Sequence, residues 1–280
     1  MPAPGLPARL SVAIVTYRCD AALLERALRS LARASARARR DQQLRDEVAL
    51  HIIDNGPADS RAALGRALAA WDAAQGKLTL HSGHGNVGYG RGNNLVLASL
   101  GSDAHLVMNP DVELDEGALG AALGSLARHP SVGLVAPAVN GDDGSCQFLC
   151  KRYPSVWVLF LRGFAPSAVR KRFEPALAHY EMRDVIGERF VERVPLASGC
   201  FMVVRTALFK RLGGFDPRFF MYFEDYDLSM RVGREAAIAY VPEARIVHHG
   251  GEAARKGLRH VAWFVASAWR FFRRHGWKLA

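Results

Sequence analysis

Between Leu10 and Asp111 the chain alternates between short β-branched apolar runs and alanine-rich amphipathic stretches. Leu10–Tyr17, Val48–Asp54, Leu78–His81 and His105–Asn109 have the length and residue types of buried strands. The periodicity between them predicts helices over Ala21–Arg40, Arg61–Ala74 and Arg91–Leu100. An order of βαβαβαβ admits few folds, because parallel neighbours need a crossover, usually helical. The segment therefore reads as α/β, with a Rossmann-like, mostly parallel central sheet and helices on both faces. Ligands of such sheets collect outside the carboxyl ends of the strands. Tyr17, Asp54-Asn55 and Asn109-Pro110-Asp111 all fall there, and one crevice is expected to gather them.

Beyond Asp111 the pattern loosens. It predicts a helix near Asp115–His129, a strand near Val132–Val139, a turn at Gly141-Asp142-Asp143-Gly144 and a less ordered basic-aromatic stretch, Lys151–Phe173. Strands at Phe190–Pro195 and Gly199–Arg205, a helix to Leu212, a turn at Gly213–Pro217, a helix from about Glu224 to Arg234 and a strand ending at Val247-His248 follow. With 280 residues the chain can bury a core without staples, and its four cysteines have neither metal spacing nor the density of a secreted scaffold. The first residues lack a signal-peptide layout, and no apolar run reaches the ~18 residues of a membrane span. A cytoplasmic home is expected.

Lysine and arginine outnumber acids 37 to 27, and residues 252–280 alone hold seven basic side chains against one acid. There Val261, Phe264, Val265, Ala268, Trp269 and Phe272 follow helical spacing, edged by arginines. Two readings stand: a helix in an anionic membrane interface, or one docked on its own core. Nucleic acid suits this segment poorly, since its aromatics form one stripe rather than separate stacking platforms.

Four further features carry chemistry. Asp54 can accept the ring N–H of uracil or thymine while Tyr17, beside Thr16, offers a stacking face; Asp54-Asn55-Gly56-Pro57 is equally good turn chemistry. Gly83–Asn94 contains a G-x-G-x-x-G pattern, but two strands precede it and the first turn has no glycine, which argues against a dinucleotide fingerprint. It reads as a close-approach loop centred on Gly88, with Asn86 and Arg91 as polar contacts; a plain flexible loop is the alternative. Asp111, after a φ-locked proline, offers a hard oxygen to a divalent ion, and His248 is a candidate second ligand. Glu224 and Asp225 lie among aromatics, where burial can raise a carboxyl pKa enough to make a base, although acids at a helix start also serve as caps.

In this order the motifs resemble glycosyltransferase family 2, the inverting GT-A class, and most closely its rhamnosyltransferase-like branch. The resemblance runs from about Val12 to Gly251 on Val12–Tyr17, Ile53-Asp54-Asn55, Gly85-Asn86-Val87-Gly88, Asn109-Pro110-Asp111, Gly213-Gly214-Phe215-Asp216 and Phe223-Glu224-Asp225. It implies a transferase domain over residues 1–251, with a nucleotide half at about 10–112 and an acceptor half at about 113–251, followed by the basic helix of 252–280. It implies nucleotide contacts from Thr16, Tyr17, Asp54 and the strand-end neighbours Asn55 and Asn109, with Arg18 and Arg91 near phosphate by position and charge. It also implies Mg²⁺ or Mn²⁺ at Asp111 and His248, and Asp225 as catalytic base. The first acid of the usual Asp-x-Asp is Asn109 here, which leaves one carboxylate. A dTDP- or UDP-sugar donor, with dTDP-L-rhamnose favoured, and a lipid-linked or glycan acceptor at the inner membrane face are expected. A decayed nucleotide-sugar-binding protein and a dinucleotide-dependent oxidoreductase are the alternatives.

Overall fold

The structure is a computed structural model and describes residues 8–71, 75–250 and 257–280. The first half follows the expected alternation: β1 (Leu10–Thr16), α1 (Ala21–Arg40), β2 (Ala49–Asp54), α2 (Arg61–Leu68), β3 (Leu78–His81), α3 (Tyr89–Asn94) and β4 (Ala104–Met108). Every residue of β1 is buried, as expected of a strand covered on both faces. α1 starts on an Asp20 cap that accepts the N–H groups of Ala22 and Leu23, and ends among Arg37, Arg39 and Arg40, complementing the helix dipole. The helix expected over Arg61–Ala74 stops at Leu68, and Asp72–Ala74 lie outside the described residues.

The second half contains β5 (Val112–Leu114), α4 (Ala118–Arg128), β6 (Val132–Asn140), α5 (Val156–Phe164), α6 (Ser167–Arg172), α7 (Glu174–Tyr180), β7 (Val191–Glu192), β8 (Phe201–Arg205), α8 (Thr206–Arg211), α9 (Glu224–Val232), β9 (Ala237–His248) and α10 (Leu258–His275). The sheet runs β3-β2-β1-β4-β8-β6-β9-β5, with β7 against β9. It is parallel through β3-β2-β1-β4; β8 then enters antiparallel between β4 and β6, so the whole sheet is mixed. The register sets Thr16 opposite Asp54 and Ile14 opposite Met108, which puts the carboxyl ends of β1, β2 and β4 side by side.

Three expectations need correction. Lys151–Phe173 is not loosely ordered: Ser155 caps α5 by accepting the Val158 N–H, and Val158, Leu159 and Leu161 are buried. The strand expected over Phe190–Pro195 is only the two residues of β7, because Arg193, with φ +67°, breaks the extended run. The aromatic stripe of the C-terminal helix divides: Phe264, Ala268 and Phe272, joined by Phe271, pack on the chain's own core, whereas Val265 and Trp269 are exposed. The docked reading thus describes one side of the helix, and the other side is left exposed. Arg255 and Lys256 lie outside the described residues. No helix among the described residues is long and apolar enough to cross a membrane.

Candidate active site

The crevice begins where β1 and β2 end. Asp54 is buried; its Oδ1 accepts the Gly56 N–H at 2.9 Å and the Thr16 hydroxyl at 3.3 Å, while its Oδ2 is buried with no hydrogen-bond partner. An unsatisfied buried carboxylate oxygen is costly, and it is an acceptor set for a donor from outside the chain. Tyr17 stands half exposed next to it, available for stacking. Asn55 points the other way: its Nδ2 donates to Gly88 O at 3.0 Å and its Oδ1 lies 2.9 Å from His84 Nε2. It therefore joins the β2 turn to the glycine loop. Gly88 has φ +89°, and a Cβ there would run into Phe220 O, the atom that accepts the Tyr89 N–H at 3.0 Å. Glycine is required twice over, by conformation and by close approach.

At the end of β4, the Asn109 N–H donates to Cys200 O at 2.8 Å. Asp111 follows, with a buried Oδ1 that makes no hydrogen bond and lies 3.6 Å from His248 Nε2. Gln147 sets the imidazole, its Oε1 lying 3.2 Å from His248 Nδ1. A Cβ on Gly250 would collide with Asp111 Oδ2, so the chain closes tightly around the carboxylate. No group of three or more His, Cys, Asp or Glu side chains gathers among the described residues. One carboxylate and one imidazole nevertheless suit an ion whose other ligands are water and a bound diphosphate, the usual habit of Mg²⁺ and accessible to Mn²⁺. The orphaned Asp111 oxygen fits that role.

The acids stand across from this pair. Asp225 Oδ2 accepts the Gly199 N–H at 2.9 Å and Oδ1 accepts the Tyr226 N–H at 2.8 Å. Glu224 is buried beside it, and its Oε2 has no hydrogen-bond partner. Burial and the adjacent Asp225 charge push the Glu224 carboxyl up to about 8. Burial also raises Asp225, but its backbone hydrogen bonds favour the charged form. Tyr89 donates its hydroxyl to Gly199 O at 2.7 Å, and burial pushes the Cys200 thiol up to about 12, with the charges of Asp111 and Asp225 adding to it. Cys200 therefore sits between the two acids, and one crevice holds them both.

Tyr222 and Phe223, immediately before Glu224, have φ +70° and +65°. Two successive aromatic residues in the left-handed region cost about 1–3 kcal/mol each. α10 holds them there: Tyr222 Oη lies 2.8 Å from His260 Nδ1, and Phe223 packs on Phe264 and Phe271 with ring centroids 5.2 and 5.4 Å apart. Asp227, on the far side of α9, is fully buried with Arg231 Nε at 2.7 Å and His275 Nε2 at 2.8 Å.

The structure thus gathers Thr16, Tyr17, Asp54, Asn55, Gly88, Asn109, Asp111, Glu224, Asp225 and His248. Three expected contacts are engaged elsewhere. Arg18 pairs with Asp59 at 3.3 Å, Asn86 Oδ1 caps the Gly88 N–H at 3.1 Å, and Arg91 Nε donates to Pro217 O at 2.6 Å. Gln147, Tyr89, His84 and His275 were not singled out from sequence; His84 and Tyr89 lay inside the glycine-loop motif, and Gln147 and His275 have no local signal.

Residues 11–181 match the family model described as glycosyl transferase family 2. Two N-acetylglucosaminyl-diphospho-decaprenol L-rhamnosyltransferases from strains of Mycobacterium tuberculosis are 32% identical over 96% of this chain and 86% of theirs. The rhamnosyltransferase WbbL of Escherichia coli K12 is 34% identical over 29% of this chain and 31% of its own length. Among solved structures, the mannosyltransferase PcManGT of Pyrobaculum calidifontis, in complex with GDP-Man and Mn²⁺, aligns with TM-score 0.58 at 18% identity. That alignment covers 96% of this chain and 66% of PcManGT, so it speaks for the fold alone. The glycine loop follows β3 rather than β1, which leaves the dinucleotide reading without support. The chain belongs to glycosyl transferase family 2, has the GT-A fold, and is a glycosyltransferase of the rhamnosyltransferase-like branch.

Proposed function

We propose that the chain is an inverting enzyme that moves L-rhamnose from dTDP-L-rhamnose to a hydroxyl of a lipid-linked or cell-surface glycan, a UDP-sugar being the competing donor. The observation that carries this reading is the set of three unpartnered buried carboxyl oxygens, Asp54 Oδ2, Asp111 Oδ1 and Glu224 Oε2. They suit, in turn, a pyrimidine N–H, a cation with its diphosphate, and the reacting sugar. The printed name of the mycobacterial relatives, L-rhamnosyltransferases of N-acetylglucosaminyl-diphospho-decaprenol, supports the donor sugar and a lipid-linked acceptor.

In this reading residues 10–112 form the donor half and 113–251 the acceptor half. Asp54 binds the base, Tyr17 stacks on it, and Asn55 fixes the glycine loop over the nucleotide. Asp111 and His248 would hold Mg²⁺ or Mn²⁺, which when bound stabilises charge on the departing diphosphate. Asp225 takes the proton of the acceptor hydroxyl as that oxygen attacks the anomeric carbon from the face opposite the nucleotide, giving an inverted product. Glu224, neutral beside it, keeps a second negative charge out of the site. The exposed aromatics of α5 and the arginines of α10 support attachment to the cytoplasmic face of an anionic membrane.

Calorimetry with dTDP, UDP, GDP and NAD, with and without Mn²⁺, tests the donor assignment. Binding of dTDP or UDP that Mn²⁺ strengthens is the expected result. Tight binding of NAD alone, or of none of the four, overturns it, and dTDP binding without sugar transfer points to the decayed binding protein.

A further inference from the structure

We propose that Arg162, with Lys151 behind it, is the subsite for the acceptor's diphosphate; this rests on the reading of the acceptor as lipid-linked. α5 is two-sided. Trp157, Phe160 and Phe164 form an exposed row, 38, 48 and 50% accessible. At about 100° per residue, Arg162 stands roughly half a turn away, on the side of the buried Val158, Leu159 and Leu161. One helix thus offers aromatics on one side and, on the other, an Arg162 side chain that is still 46% exposed and open to a ligand.

The inward side carries surplus positive charge. Glu181 Oε1 lies 3.3 Å from Lys151 Nζ and 3.9 Å from Arg162 Nε, while its Oε2 pairs with Arg183 at 2.5 Å. Glu174 also pairs with Arg183, so two carboxylates face three cations, and 3.9 Å is too long for a hydrogen bond, so Glu181 does not occupy the Arg162 fork. Planar, bidentate recognition of phosphate is what that fork does best. Lys151 is buried, its Nζ 5.4 Å from the centre of the Tyr180 ring, and burial pushes the ammonium down to about 8. An arriving anion would relieve this.

The cluster also lies beside the base. Tyr180 and Tyr226 join their hydroxyls at 2.7 Å, and Tyr226 follows Asp225 directly. Arg162 lowers the Asp225 carboxyl against the larger effect of burial, so the two charges feel each other. Asp225 is thereby bracketed, with Gly199 and Cys200 leading to Asp111 and Tyr226 and Tyr180 leading to Arg162. A donor diphosphate fits the first side. A sugar whose hydroxyl meets Asp225, and whose anomeric oxygen carries a diphosphate, fits the second. The lipid would then leave along the aromatic row, where the chain end adds exposed Trp277 and Leu279 through Trp157 N–H to Leu279 O at 3.0 Å.

The test uses the full chain and two acceptors in detergent without phospholipid, so no lipid headgroup can supply phosphate. N-acetylglucosaminyl diphosphate bearing a farnesyl chain and octyl N-acetylglucosaminide share a sugar and an apolar tail but differ in the diphosphate. Arg162→Gln is expected to lower the ratio of kcat/KM for the first over the second at least tenfold, mainly through KM, and Arg162→Lys to recover part of it. Equal losses on both acceptors, with the acid limb of both pH profiles displaced alike, would mean that Arg162 acts only on Asp225 and overturn the proposal. Calorimetric dTDP binding checks that Arg162→Gln is folded; should it fail, Arg162→Lys carries the comparison, and an unchanged ratio there overturns the subsite. If the wild-type chain binds dTDP yet transfers to neither acceptor, the lipid-linked reading itself falls, and this subsite with it.

Discussion

Gly199 donates its backbone N–H to Asp225 Oδ2 at 2.9 Å, and it stands so close that a methyl group on it would lie 3.2 Å from the Asp225 Cβ. The strand entry before β8 therefore aims the proposed base and sustains its charge. Asp225→Asn should lower kcat by about 10³ or more with dTDP affinity retained, because the base is lost and the nucleotide contacts are not. Gly199→Ala should cost roughly tenfold in kcat by displacing the carboxylate. Steady-state kinetics beside calorimetry decides both, and full activity of Asp225→Asn would falsify the assignment.

Stability should depend on pH through Glu224. Its folded pKa, about 8, stands above that of the unfolded chain, so the stabilisation is complete below the ordinary glutamate value and is lost as pH rises towards 8. Glu224→Gln is neutral throughout. Its Tm should gain on that of the wild type between about pH 5 and 8; parallel curves in scanning calorimetry would remove Glu224 as the cause.

Asp54 gives a prediction about the donor. Its Oδ2 lacks a partner within the chain, so Asp54→Ala should weaken dTDP and UDP alike by about 10- to 100-fold, the worth of one charge-assisted hydrogen bond. Unchanged affinity would count against base recognition there.

Asp111→Ala and His248→Ala should each abolish most of the strengthening that Mn²⁺ gives to nucleotide binding, while leaving the weaker metal-free binding in place. Gln147→Ala, which unties His248 Nδ1, should reduce it by about 10-fold. A Mn²⁺ effect that survives both ligand variants would place the ion elsewhere.

Sedimentation with vesicles tests the membrane face. The wild-type chain should pellet with anionic vesicles more than with neutral ones, and Trp157→Ser with Phe160→Ser should lower binding to both kinds, since the aromatic row contributes apolar burial rather than charge. Equal pelleting of the wild type with the two kinds would remove the electrostatic argument.

What could be read from sequence follows from how local each signal is. β1–β4 were legible because each is an apolar run between helical periods, and so was the placement of Thr16, Asp54 and Asp111 at or just past the carboxyl ends of those strands. β5 has only three residues, too few to show a period. Lys151–Phe173 looked irregular because its charges and aromatics interleave; the ordering comes from Glu181, Tyr180 and the backbone bonds of Val156 and Trp157 to Lys278 and Leu279, all distant in sequence. Arg18 and Arg91 were plausible by position and charge, yet each has a distant partner that no local pattern announces, whereas Asn86 makes a local Asx turn onto Gly88. The support of Asp227 by His275 spans 48 residues and is likewise a tertiary fact.

The pairing of β5 with β9 has a consequence for the proposed cation. Val112 sits opposite His248 in the ladder, and the His249 N–H donates to Asp111 O at 3.0 Å. The spacing of Asp111 and His248 is thus set by main-chain rungs, fixed when the sheet forms. Such a site is preorganised: little conformational entropy remains to be surrendered when an ion arrives with its diphosphate. Under the proposed assignment, an ion would need only Asp111 and His248 from the protein beside its diphosphate and water, with no second carboxylate at Asn109.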